Sequence, residues 1–367
     1  MAVDEKKIRE ALGQVQYPDF RKDITSLGMV ESIVLSGSQV EITLKIPTPR
    51  IPSTETLRAQ VIQVAEEVAD VTSVVVRFKP EIPAWTSTDK TGVPGVKNIV
   101  AIGSGKGGVG KSTIAANLAV GLAKLGARVG LVDGDVYGPS IPIMMGRRSE
   151  ELKQRDGKII PIEAHGVKFM SMGFLAQGEQ PLIWRGPMAH RAVQESLMNV
   201  DWGELDYLLV DMPPGTGDVH LTLVQTVALV GAVIISTPQD VGLTISMKTL
   251  KMFEQTNVKT LGLIENMSYH LCSHCGEREE IFGHGMVARE AAKMKIPFLG
   301  EIPLDVTIRR HADEGTPVIS AQPEAPASRG YMKIIDRLAK EISIRAHFHK
   351  PLTIVEEPET KPQSFSV

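Results

Sequence analysis

The run Gly105-Lys106-Gly107-Gly108-Val109-Gly110-Lys111-Ser112-Thr113 leaves this chain little choice of fold. A glycine, four residues and then Gly-Lys-Ser make a phosphate-binding loop when a buried strand precedes them and a helix follows. Both flanks are present: Asn98 to Ile102 is short, apolar and β-branched, and Ile114 to Ala123 has helical spacing. Glycines without a Cβ let successive backbone N–H groups converge on one anion, and the helix start adds the positive end of its dipole. Gly105 to Thr113 is therefore the expected ATP-binding loop, with Lys111 bridging the β- and γ-phosphates and the Ser112 hydroxyl on Mg²⁺. The fold class that follows is α/β, a mostly parallel sheet flanked by helices with ligands at the carboxyl ends of its strands.

Other strands fit the same scheme. Arg128 to Val132 reads as a buried strand delivering Asp133-Gly134-Asp135, with Asp133 nearer the metal. Asp206 to Val210 ends in Asp211, expected to hold Mg²⁺ through a water, and runs into Met212-Pro213-Pro214-Gly215-Thr216-Gly217-Asp218. Gly215 and Gly217 let that loop approach the γ-phosphate and move when it leaves, while Asp218 either belongs to the loop or caps a helix from Val219 to Val227. Ala232 to Ser236, Leu261 to Ile264 and Pro297 to Pro303 complete the strands, followed by helices over Leu304 to Ala312 and Tyr331 to Ile344.

The 367 residues suit a core of about 250 residues plus a smaller module. We expect an N-terminal α/β module over 1–80, a proline-rich linker over 81–95, the nucleotide-binding domain over 96–345 and a disordered, glutamate- and proline-rich tail over 346–367. A net charge of −3 gives no nucleic-acid footprint. There is no apolar run of about 18 residues, and the first residues are charged rather than signal-like, so a cytoplasmic protein without membrane contact is expected.

The two cysteines, Cys272 and Cys275, are spaced Cys-x-x-Cys. Thiolates at that spacing can face one metal, and both iron–sulfur clusters and zinc accept them. A redox dithiol and a Cys₂His₂ zinc site completed by His270 and His274 are the other readings. A four-iron cluster (4Fe-4S) usually takes four thiolates, so a symmetric homodimer pooling two cysteines per chain would complete it.

Lys-Gly-Gly-Val-Gly-Lys-Ser-Thr over Lys106 to Thr113 resembles the deviant loop of the MinD/ParA ATPase superfamily, in which the extra lysine, here Lys106, reaches the partner subunit's nucleotide. Val132 to Ser140, Asp211 to Asp218 and Glu265-Asn266-Met267-Ser268 followed by the cysteine pair are similar to the Mrp/ApbC iron–sulfur cluster carriers. That resemblance implies Lys106, Lys111 and Asp135 as catalytic residues, with Asp135 orienting the attacking water, and Asn266 on the adenine edge. It also implies a cluster bridging two subunits through Cys272 and Cys275, ATP hydrolysis, and transfer to apo-proteins in concert with cluster-assembly factors. The first 80 residues resemble the iron–sulfur-assembly accessory domain through Leu27-Gly28-Met29-Val30 and Thr48-Pro49 with Pro52, although Ile51 stands where many members carry cysteine. Docking and purely structural roles for this module both stay open. The competing functions are a MinD/ParA-like positioning ATPase, which wants a basic membrane- or DNA-binding surface, a reductase with a bridging cluster, and a zinc-stabilised ATPase.

Overall fold

The computed structural model describes residues 4–50, 54–87, 89–135, 138–174, 186–215, 223–272 and 274–348. In the N-terminal module, α1 (Glu5–Leu12) starts at Asp4, whose carboxylate accepts the Lys6 N–H at 2.9 Å. Strands β1 (Val30–Ser36) and β2 (Gln39–Ile46) form an antiparallel hairpin, and β3 (Ser73–Pro80) joins β2 in parallel after helix α2 (Thr54–Glu66) crosses over. Ile8, Leu12, Tyr17, Ile42, Leu44, Leu57 and Val61 fill the core between sheet and helices.

The larger unit is built on β4 (Ile99–Ser104), β5 (Val129–Asp133), β6 (Ile162–Ala164), β7 (Val167–Ser171), β8 (Tyr207–Asp211), β9 (Leu229–Ser236), β10 (Thr260–Asn266) and β11 (Phe298–Ile302). They lie in the order β6-β7-β5-β8-β4-β9-β10-β11, all neighbours parallel except the β6–β7 pair. Strands β4, β5, β8, β9 and β10 are buried along their whole length, which is why they read as unbroken apolar runs. From β4 the chain builds out to one side through β5, β6 and β7, returns to β8 and then crosses β4 to β9 on the other side, so the loop after β4 sits at the crevice where strand order reverses.

Helices α3 (Lys111–Lys124) and α8 (Pro326–Phe348) cover one face of the sheet; α4 (Gly186–Met198), α5 (Asp240–Gln255) and α6 (Met286–Met294) cover the other. Gly121 of α3 lets the two helices approach closely: a Cβ there would lie 2.2 Å from Ile335 Cδ1 of α8 and would push that side chain aside. The close approach buries Tyr331, Ile334, Ile335, Leu338 and Ile342 completely, each contributing about 1.5–3 kcal/mol. A further helix, α7 (Val306–Asp313), begins at Asp305, whose carboxylate accepts the Thr307 N–H at 2.7 Å.

The structure departs from the sequence expectations in three places. Strands β6 and β7 were not anticipated, because the charged stretch around them masks a buried five-residue strand at Val167–Ser171. The segment expected as a linker is laid down on the core: Ile82 and Val93 are buried and the Trp85 N–H donates to the Lys97 carbonyl. Helix α8 continues to Phe348, so 346–348, expected in the tail, are helical. Its last turns also brace the N-terminal module. Lys340 pairs with Asp19 at 2.6 Å, the His347 ring stacks on Phe20 with centroids 5.0 Å apart, and Ile344 packs on the module's core. The expectations for 349–367, for Ile51-Pro52, for Val136-Tyr137, for Thr216-Gly217-Asp218 and for the first four residues of the 219–227 helix fall outside the described residues, while 223–226 are helical. Among the described residues no helix is long and apolar enough to cross a membrane.

Candidate functional site

Seven strand ends converge beside the glycine loop. Ser104 of β4 opens it, and register aligns Asp211 of β8 and Ser171 of β7 with Asp133 of β5. In the loop Gly108 and Gly110 have φ of 77° and 79°, a backbone that non-glycine residues adopt only at a cost. Gly110 then leads into α3, so the first free N–H groups of a 14-residue helix face the crevice.

Lys111 is 6% exposed, and its Nζ donates to Asp211 Oδ1 at 2.5 Å and to Ser112 Oγ at 3.3 Å. Lys106 Nζ reaches Gln239 Oε1 at 3.1 Å. Asp211 is fully buried, and its Oδ2 has no hydrogen-bond donor among the described residues. An unpartnered buried carboxylate oxygen beside the Ser112 hydroxyl is the donor set a hard divalent cation takes, so Asp211 and Ser112 fit Mg²⁺.

Asp133 is placed differently from the sequence expectation of a position near the metal. Its Oδ2 accepts from the Ser140 and Ile141 N–H groups, both at 3.1 Å, and from Ser171 Oγ at 2.9 Å. Burial, and next the charge of Asp211, push its carboxyl up to about 7. Burial also pushes Asp211 upward against the opposing pull of Lys111. With Lys111 in contact with Asp211, the proton of the pair belongs on Asp133. Asp135 Oδ1 accepts the Gly138 N–H at 3.2 Å, and its own N–H lies 3.3 Å from Asp133 Oδ1, so the two carboxylates pin both ends of residues 135–141. The Gly215 N–H donates to the Ser104 carbonyl at 3.0 Å, which lays the loop after β8 against the glycine loop.

Asn266, at the end of β10, is 7% exposed; its Nδ2 donates to the Val109 carbonyl at 2.7 Å. A Cβ on Gly110 would lie 2.3 Å from that nitrogen. The chain then turns through Met267, which has a φ of 56°, into the cysteine loop.

The loop projects as a small ribbon, His270–Leu271 paired with Arg278–Glu279. Cys272 is half-buried, Cys275 is exposed, and both are free thiols. The backbone N–H groups of Cys275 and His274, and then the Cys275 thiol, hold the Cys272 thiol below its ordinary range. The Cys₂His₂ zinc reading does not assemble. Among the described residues the one group of three or more ligand side chains within 4.8 Å is Glu265, His284 and Glu301, and His270 instead points Nδ1 at the Leu304 carbonyl, 3.0 Å away.

The sequence reading gave no role to Ser171, Gln239 or Glu265. Glu265 carried a usable signal, an acidic residue closing an otherwise apolar strand; Ser171 carried none, because its strand was itself missed.

Residues 95–339 match the family model described as NUBPL iron-transfer P-loop NTPase, and residues 5–76 the model described as iron-sulfur cluster assembly protein. An iron-sulfur cluster carrier protein of Deinococcus radiodurans is 45% identical over 353 residues, 96% of this chain and 97% of that one. The iron-sulfur cluster transfer protein NUBPL of Dictyostelium discoideum is 47% identical over 257 residues, 70% of this chain and 80% of its own length. Among solved structures, a nucleotide-binding protein of Archaeoglobus fulgidus in complex with ADP superposes with a TM-score of 0.56 at 41% identity, covering 64% of this chain and 91% of that one.

Proposed function

This chain belongs to the iron–sulfur cluster carrier family of P-loop NTPases, and from that premise we propose that it holds a labile cluster between two copies of itself and delivers it to apo-proteins. As a P-loop ATPase it places nucleotide phosphates on the N–H groups of Gly105 to Thr113. Lys111 turns from Asp211 to the β- and γ-phosphates, and Asp135 orients the attacking water. Asp211 and Ser112 would hold Mg²⁺, which neutralises charge on the phosphate oxygens. Lys106 serves the partner's nucleotide, and Asn266 lies at the adenine side.

One observation carries the proposal of shared cargo: two free thiols on an exposed loop, one acidified, with no third ligand side chain gathered with them within 4.8 Å among the described residues. Two thiolates complete half of a four-thiolate set, and a second copy across a two-fold axis supplies the rest. The cargo is then a four-iron cluster exposed enough to leave. The test is oxygen-free reconstitution with iron and sulfide, followed by metal counting and sedimentation. One four-iron cluster per two chains is expected, and the Cys272→Ala, Cys275→Ala double variant should bind none. Unchanged iron in the double variant, or a loaded species that sediments as a single chain, overturns the proposal.

A further inference from the structure

The cysteine loop is not an independent appendage, since both of its ends are fastened to one buried carboxylate. Glu265 is fully buried at the end of β10. Its Oε1 accepts from Ser268 Oγ at 2.5 Å and from the Gly285 N–H at 2.9 Å, while Oε2 accepts the Val287 N–H at 2.9 Å. Ser268 stands where the chain leaves the sheet, and Gly285 and Val287 stand where it re-enters at α6. A second carboxylate doubles the clasp: Glu301 of β11 takes His284 Nε2 at 2.6 Å and lies 3.1 Å from Ser268 Oγ. Residues 269–284, including both thiols, are thus a loop closed at its root.

The residue after Glu265 touches the nucleotide loop. Asn266 Nδ2 holds the Val109 carbonyl, and Gly110 sits so close that a side chain there would collide with it. Met267, between Asn266 and Ser268, occupies the left-handed region at φ 56°, a conformation that costs of order 1–3 kcal/mol in a residue with a Cβ. Four consecutive residues therefore run from the phosphate loop to the clasp, and the backbone between them is strained. A shift of the Val109 carbonyl has a short, stiff path to the loop root.

We propose that Glu265 is a positioning residue that transmits nucleotide occupancy, through Asn266, Met267 and Ser268, to the geometry of the Cys272–Cys275 loop. This rests on the carrier reading for its purpose, but not for its test, which uses the thiols themselves. In the metal-free full-length chain, the alkylation rates of Cys272 and Cys275 by iodoacetamide are measured at fixed pH, with and without a saturating non-hydrolysable Mg-ATP analogue. In the wild type the nucleotide should change these rates at least about fivefold, the lower end of ordinary coupling between sites. Glu265→Gln, which turns one of the two acceptor oxygens into a donor facing a backbone N–H, and Ser268→Ala should bind the analogue as the wild type does and show no change in rate. A purely structural role would alter the rates equally with and without nucleotide. Should Glu265→Gln fail to fold, Ser268→Ala and hydrogen exchange of residues 269–284 in the wild type carry the same comparison. A wild-type rate indifferent to nucleotide, or variants that respond as the wild type does, overturns the proposal. So does a response lost in Lys106→Ala and kept in Glu265→Gln, which would place the route across the dimer. Iron counting on the same preparations is separate: a wild type without iron sinks the carrier reading and leaves the thiol response standing.

Discussion

The glycine loop follows β4 and the cysteine loop follows β10, with β9 between them in the sheet, and the two are built in opposite ways. The first is closed in by Lys111, Asp211, Asp133 and Ser171, all buried, with Lys111 bonded to Asp211 and Ser171 to Asp133, so one chain supplies nearly everything phosphate chemistry needs. The second presents two thiols on a two-rung ribbon, and among the described residues no third ligand side chain is gathered with them. Preorganised charge has to be shielded from water to act strongly, whereas a cargo that must be handed on has to be reachable. On the proposed function, catalysis belongs to the interior and exchange to the rim.

The largest effect that can break this comparison is at Lys111. Replacement by alanine should lower ATP turnover by about 10²–10³-fold or more. It should also destabilise the fold by about 3–5 kcal/mol, because Asp211 keeps its burial and loses its cation. Steady-state turnover and urea unfolding read the two, and a small change in both would mean that the buried site is not held by charge. Gly110→Ala comes next. Strain at φ 79° and collision with Asn266 should cost about 1–3 kcal/mol, seen as weaker nucleotide binding by calorimetry.

A smaller effect tests the proton on the carboxylate pair. Asp133 has its carboxyl raised to about 7, so between about pH 4 and 7 the folded chain binds more protons than the unfolded one. The stability linked to this group therefore falls as pH rises through that window and levels off above it. In Asp133→Asn the contribution is gone, and the urea midpoint should vary less between pH 5 and 7; an unchanged pH dependence would place the proton elsewhere. The smallest effect belongs to the rim. Cys275→Ala removes one donor from the Cys272 sulfur, so the pH profile of Cys272 alkylation should move upward while ATP turnover in the metal-free protein holds.

The buried site was the legible one. Asp133 and Asp211 announce themselves because each ends a run of apolar residues, and Gly105 to Thr113 because few backbones other than a phosphate cradle need those glycines. Contacts between segments far apart in sequence were not legible. Ser171 reaches Asp133 across 38 residues, and Asn266 reaches Val109 across 157. Neither partner can be named until strand order is known, and strand order is fixed by tertiary packing rather than by local pattern. The position of Asp133 was misjudged for the same reason, since its acceptor oxygen is claimed by β7, a strand hidden in a charged stretch. The zinc alternative rests on ligand count, and among the described residues its side chains are not gathered within 4.8 Å of one another, although His270, with Nδ1 at the Leu304 carbonyl, keeps Nε2 for a metal.

Helix α8 serves two cores, and this has a consequence for biosynthesis. The aromatic face of the amino-terminal module, at Phe20, is covered by His347, a residue translated more than three hundred codons later. At about 5–20 residues per second that interval lasts on the order of tens of seconds. A nascent chain on the ribosome thus carries a finished small module with a bare patch, which the last turns of α8 shield once they emerge.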